Sequence, residues 1–229
     1  MAGSPKLFSS ILSPSMSKAQ SGLVNSYHHI SSLDRAAWGI HNPRFINGRP
    51  WDSVGDMAAA YAEYILGVTT GPVILGGWLF GGVAAYEIAL QRANRGVAVK
   101  GIVLIDSPCP GDHNPLSDDL LDAILGLDER VAFSDLGVLV RRQFSMNAPT
   151  LQRYTPAWAP ELAPPVVLLR SREGFRPEDV PDGIAKLTSR PVKVLDIPGH
   201  HFTVFHPSNI SEVSCRLAEA CEYIESLEV

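Results

Sequence analysis

Charge is thin along this chain and gathers nowhere. Lys and Arg number 19 and Asp and Glu 24, for a formal net charge of −5 without a long basic run. A nucleic-acid surface needs a basic stripe or patch, so no such partner is expected. Cysteine is scarcer still. Cys109, Cys215 and Cys221 show no metal-ligand spacing, and an odd, scattered set fits reduced thiols in a cytoplasmic protein. No apolar run reaches the roughly 20 residues of a membrane-spanning helix, so no membrane is expected as a partner. The first residues hold many Ser but no continuous apolar stretch and do not read as a signal peptide. His28-His29 and His200-His201 are adjacent pairs whose side chains diverge on a helix or strand, so neither is a ready chelate and no metal site is implied. Internal repeats are absent.

What is present is a globular composition, 45% hydrophobic and 19% charged, in a length that suits one domain over 1–229. Apolar runs read as strands at Ala36 to Ile40, Val73 to Leu75, Gly101 to Ile105, Pro165 to Leu169 and Val192 to Ile197. Between them run helical patterns. Ser53 with Asp56 caps a helix that carries Val54, Met57, Ala58, Tyr61 and Ile65 on one face and ends at Gly67. A second carries Val83, Tyr86, Ala89, Leu90 and Ala93 and stops at Gly96, and a last one spans Ser208 to Leu227. A further short helix fits Gly22 to Ile30. Alternation of buried strands and helices predicts an α/β chain with a doubly wound, mostly parallel sheet. Residues 111–160 lack a strand-like run. Leu120, Leu121, Ile124 and Leu127 suggest one amphipathic helix there, Val138, Leu139, Phe144 and Met146 another, and Leu151 to Tyr154 a turn. A helical insertion between two strands reads as a lid over the crevice. Residues 1–22 are irregular and Ser-rich; they read either as a mobile terminus or as an altered first strand and loop.

The centre of the chain is Val73-Ile74-Leu75-Gly76-Gly77-Trp78-Leu79-Phe80-Gly81-Gly82, an apolar run that enters a glycine cluster and leaves as a helix. Strand, sharp turn and helix with small flanking residues is the layout of a nucleophile elbow, whose middle residue is normally Ser. Here it is Leu79. Covalent acyl transfer needs a nucleophile, a base and an acid that orients the base. Leu79, Asp106 and His201 stand in the order nucleophile, acid, histidine, each just after a predicted strand. His200 rivals His201 as the base. Leu79 has no nucleophilic atom, and Trp78 and Phe80 supply none. Cys109, three residues past Asp106, is an alternative nucleophile or a buried inert thiol.

The run from Leu75 to Ala89, the segment Val103-Leu104-Ile105-Asp106-Ser107-Pro108-Cys109-Pro110 with His113 to Ser117 after it, Trp38 to Pro43, and Gly199-His200-His201-Phe202-Thr203 together resemble the thioesterase domains of fungal polyketide synthases and nonribosomal peptide synthetase-like (NRPS-like) enzymes. They are similar in particular to the terminal thioesterases of NRPS-like synthetases that join two aryl-pyruvate units. The resemblance covers about Gly22 to the C-terminus. It implies an α/β-hydrolase fold with a helical lid. It also implies release of an acyl chain from a carrier-protein phosphopantetheine thioester, by hydrolysis, cyclisation or carbon–carbon bond formation, in secondary-metabolite biosynthesis and with no cofactor. Carried over, Leu79 is the nucleophile position, Asp106 the acid and His201, directly before Phe202, the base; the Phe80 N–H is one oxyanion donor.

Two departures stand out. The nucleophile position is Leu, and the glycine-rich loop that gives the family its second oxyanion N–H is matched only by Ser21-Gly22. The chain thus reads as a degenerate, free-standing relative of a thioesterase domain. Three readings are expected from it: an acyl-thioester hydrolase or cyclase in which His201 activates water directly, an inactive module that binds an acyl chain or a carrier protein, or, from the irregular first 22 residues, an inert remnant of a synthetase.

Overall fold

The computed structural model describes residues 6–9, 27, 29–31, 33, 36–45, 49–96, 98–111, 135–157, 161, 163–174, 179–201 and 203–227. Its core is a six-stranded sheet in the order β2-β1-β3-β4-β5-β6, with every neighbouring pair parallel. The strands are β1 (Lys6–Ser9), β2 (Ala37–Ile40), β3 (Val73–Trp78), β4 (Val99–Ile105), β5 (Val166–Ser171) and β6 (Lys193–Ile197). The described helices are α1 (Val54–Val68), α2 (Phe80–Asn94), α3 (Asp135–Gln152), α4 (Asp179–Ala185) and α5 (Ile210–Ser226).

Each central strand divides its apolar residues between two cores. Val73, Leu75, Ile102, Leu104, Val166 and Leu168 face a cluster built with α1 and α2. Ile74, Trp78, Val103, Ile105, Val167 and Leu169 face a second cluster built with Val213, Leu217, Cys221 and Ile224 of α5. Period-two alternation inside a continuous apolar run is what a parallel strand covered on both faces requires. Leu79 is half-buried and packs against both clusters, at the seam where the sheet ends.

Some bounds differ from the sequence expectation. Lys6–Ser9 is a strand held between β2 and β3, with Lys6 opposite both Ala37 and Ile74, so for this part of 1–22 the first-strand reading holds and the mobile-terminus reading does not. Four residues with one apolar pair carry too little pattern to reveal a strand fixed by its two neighbours. β3 runs past Leu75 because Gly76 and Gly77 still pair with Val103 and Leu104. α1 passes Gly67 to Val68, with Thr69 donating its N–H to the Ile65 carbonyl. α3 includes the residues expected as a turn after Leu151 up to Gln152, and holds Pro149. Of Gly22 to Ile30 only Tyr27, His29 and Ile30 are described, in a tight turn closed by the Ile30 N–H on the Tyr27 carbonyl at 3.1 Å. The helix expected around Leu120 to Leu127, the Ser21-Gly22 segment, His28, His113 to Ser117 and Phe202 lie outside the described residues.

α3 is fastened to the loop after β2 by polar side chains. Gln143 Nε2 donates to the Arg44 and Phe45 carbonyls at 3.3 and 3.1 Å. Its Oε1 accepts from Asn42 and Asn147, both at 3.4 Å. Just beyond the helix, the Tyr154 hydroxyl donates to Glu87 Oε2 on α2 at 2.7 Å. Hydrogen-bonding groups buried in this way need such partners.

Candidate active site

Leu79, Asp106 and His201 follow the carboxyl ends of β3, β4 and β6, where open parallel sheets bind ligands. Between β3 and α2 the chain turns within one residue. Leu79 adopts φ 52° and ψ −127°, a conformation costly for any residue with a Cβ, of order 1–3 kcal/mol. Two close approaches hold it there. A Cβ on Gly77 would stand 2.1 Å from the Gly81 carbonyl carbon, and one on Gly82 would stand 2.2 Å from Ser107 Oγ. The Leu79 N–H donates to the Ile105 carbonyl at 3.3 Å, and the Leu79 carbonyl accepts from Ser107 Oγ at 2.8 Å. None of these restraints uses the Leu79 side chain. Phe80 is the first residue of α2, so its N–H belongs to the helix turn whose amides have no intrahelical acceptor.

Asp106 also has a positive φ, 42°, and its N–H donates to the Leu169 carbonyl at 2.7 Å. Its carboxylate divides its work. Oδ2 meets His201 Nδ1 at 2.6 Å, and Oδ1 accepts from the Ser171 N–H at 2.9 Å and the Ser171 hydroxyl at 2.7 Å. Burial pushes the Asp106 carboxyl upward, but the hydrogen bond and charge of His201 and the two Ser171 donors outweigh it and hold the group below the usual carboxylate range. An ionised Asp106 accepts only, so the proton lies on His201 Nδ1 and leaves Nε2 as the basic nitrogen.

The histidine loop is shaped by Gly199, at φ 77°, where a Cβ would strike Thr203 Oγ1 and Asn209 Nδ2 at 2.5 Å. Its backbone is tied to the end of β5: the Arg172 N–H donates to the Ile197 carbonyl at 3.0 Å and the Glu173 N–H to that of Gly199 at 3.1 Å. The buried His201 ring stacks on Trp78, with centroids 5.1 Å apart and planes inclined by 30°. Phe205 meets Trp78 edge-on at 5.6 Å, and Tyr27 meets Phe205 at 5.2 Å. Trp78 thus joins the elbow to the histidine.

Of the residues singled out in the sequence, Asp106 and His201 are in direct contact, and Leu79 and Phe80 stand at the end of the adjoining strand. The backbone N–H of His200 donates to Thr203 Oγ1 at 3.0 Å, and the imidazole that meets the acid is that of His201. Cys109 is buried in the α1–α2 core, close enough to α4 that a Cβ on Gly183 would stand 2.9 Å from its Sγ. Sequence reasoning missed Ser171, Ser107 and the ring stack. The signal for Ser171 is positional: it is the hydroxyl at the carboxyl end of the strand beside the acid. Among the described residues, no helix is long and apolar enough to cross a membrane.

The model of the thioesterase domain family matches residues 20–214. An orsellinic acid synthase of Armillaria ostoyae is 40% identical over 227 residues, which cover 90% of this chain and 10% of the synthase. The chain therefore spans about a tenth of the length of that relative. A thioesterase of Alternaria alternata is 31% identical over 229 residues, covering 90% of this chain and 82% of its own. Among solved structures, the thioesterase domain of NocB from the nocardicin cluster superposes with a TM-score of 0.74 at 25% identity, covering 96% of this chain and 95% of that one. With the parallel sheet and the strand-end residues described above, these matches establish that the chain belongs to the thioesterase domain family and has an α/β-hydrolase fold.

Proposed function

We propose that this chain acts on acyl chains, aryl or polyketide, carried as phosphopantetheine thioesters on an acyl-carrier protein, and releases them by hydrolysis or cyclisation in secondary-metabolite biosynthesis. The observation that carries this reading is the 2.6 Å contact between His201 Nδ1 and Asp106 Oδ2, which gives the base its tautomer and orientation. The relatives named as thioesterases and orsellinic acid synthases support the substrate class. They favour the polyketide side of the resemblance over the aryl-pyruvate-joining synthetases. In this reading the chain is one domain over 1–229, with 111–160 as the lid, and it works in the cytoplasm without a cofactor, a nucleic acid or a membrane.

The missing hydroxyl at Leu79 changes the first step. A water attacks the thioester carbonyl and gives its proton to His201 Nε2, forming a carbon–oxygen bond. The oxyanion that develops lies toward the Phe80 N–H. Collapse breaks the carbon–sulfur bond, and the departing thiolate takes the proton from His201, leaving free acid and thiol. For cyclisation a hydroxyl of the acyl chain replaces the water.

Leu79 favours a second reading, an inactive domain that binds the acyl chain or its carrier, because an apolar side chain stands where the acyl-enzyme would form. Turnover of a panel of aryl and polyketide carrier thioesters separates the two. Hydrolysis that falls about 10²–10⁴-fold in His201→Ala supports the first. Binding of the acylated carrier without product supports the second.

A further inference from the structure

We infer that Ser171 is a positioning residue for the acid–base pair, a role that rests on the catalytic reading of Asp106 and His201 given above. Ser171 ends β5, the strand next to the one that delivers Asp106. It is fully buried. Both of its donors, the N–H at 2.9 Å and the hydroxyl at 2.7 Å, converge on one carboxylate oxygen, Oδ1. The other oxygen, Oδ2, is thereby left for His201. A carboxylate on a single Cβ can rotate about its side-chain torsions, and two converging donors on one oxygen fix that rotation. Asp106 lies just past the end of β4 at a positive φ; the Leu169 carbonyl holds its N–H, and the two Ser171 donors hold its carboxylate.

The site also constrains what stands nearby. A Cβ on Gly174 would lie 2.9 Å from Ser171 Oγ, so the loop after β5 packs directly on the hydroxyl. The Arg172 and Glu173 amides reach from the same loop to the histidine loop. The end of β5 therefore sets both partners: Ser171 orients the acid, and the next two residues anchor the backbone that carries the base. A hydroxyl acting on substrate would face the crevice; this one is spent on Asp106.

The test compares Ser171→Ala with Ser214→Ala in the full chain. Ser214 is a buried hydroxyl on α5 that donates to the Ile210 carbonyl at 2.6 Å and accepts from the Ser31 N–H at 3.0 Å, so it controls for the loss of a buried hydrogen bond alone. The primary readout is the far-downfield proton resonance of His201 Nδ1–H in its hydrogen bond to Asp106, which requires no turnover. Positioning predicts that the signal broadens or vanishes in Ser171→Ala and persists in Ser214→Ala, with both variants folded by circular dichroism. A signal unchanged in Ser171→Ala overturns the inference, whether or not the chain hydrolyses thioesters. A signal lost in both variants also overturns it, since a general loosening would then suffice. Where turnover is measurable, Ser171→Ala lowers kcat about tenfold with KM unchanged; a rise in KM alone contradicts the role. Absence of turnover in the unmodified chain bears on the proposed function only and leaves the resonance test standing.

Discussion

At the end of β3 the backbone of Leu79 is held at φ 52° and ψ −127° by two glycine contacts and the Ser107 hydroxyl, none of which touches its side chain. At the ends of β4, β5 and β6 the geometry instead depends on side chains: Asp106, Ser171 and His201 form a chain of hydrogen bonds at 2.6 to 2.9 Å. The restraints on the first region act through the backbone of position 79 and its glycine neighbours. The second depends on the chemistry of each member. The difference explains how a nucleophile can be absent while the elbow around it stays intact, and it implies that steric restraint and chemical function are separable in this crevice.

That separation is most severely tested at Gly77. Because an added Cβ would meet the Gly81 backbone at 2.1 Å, Gly77→Ala should destabilise the fold by at least about 3 kcal/mol in chemical denaturation. A loss under 1 kcal/mol would mean that the turn is not locked by this contact. Removing the hydroxyl that clamps the elbow carbonyl is milder. Ser107→Ala should lower stability by about 1–2 kcal/mol while the His201 Nδ1–H resonance persists, because Ser107 serves the elbow and not the acid–base pair. Loss of that resonance would join the two regions.

The smallest effect concerns pH. The Asp106 carboxyl is held below its ordinary range in the folded protein. Its contribution is therefore fully present above the unfolded value of about 4 and is lost as pH falls through the lower folded value. Melting temperature should fall less steeply with acidification in Asp106→Asn than in the unmodified chain. Parallel acid profiles would show that the carboxylate carries no linked stability.

The same division decides what could be read from the residues. Steric requirements leave strong marks: the Gly76-Gly77 and Gly81-Gly82 pairs announce the elbow, and the apolar runs from Val73, Gly101 and Pro165 announce buried strands. Asp106 and His201 stand out because they follow such runs. The supporting shell leaves weaker marks. Ser171 sits beyond the apolar part of β5, after Arg170, where the hydrophobic pattern has already stopped. Ser107, within Asp-Ser-Pro, looks like an ordinary turn residue. The stack of Tyr27, Phe205 and Trp78 on His201 joins residues from three distant segments, which no local periodicity links. A first strand within 1–22 is one of the two readings open to the sequence, but the bounds of β1 and its place between β2 and β3 come from pairing and not from its own four residues.

The most direct test of the central claim is a single substitution, Leu79→Ser, followed by intact-mass measurement after exposure to the aryl and polyketide carrier thioesters. If the elbow and the Asp106–His201 pair are both in working order, the variant gains a stable or transient acyl adduct and turnover that the unmodified chain cannot match. A folded Leu79→Ser protein that binds the same thioesters yet never acquires the acyl mass would contradict the claim that the elbow and the Asp106–His201 pair are in working order.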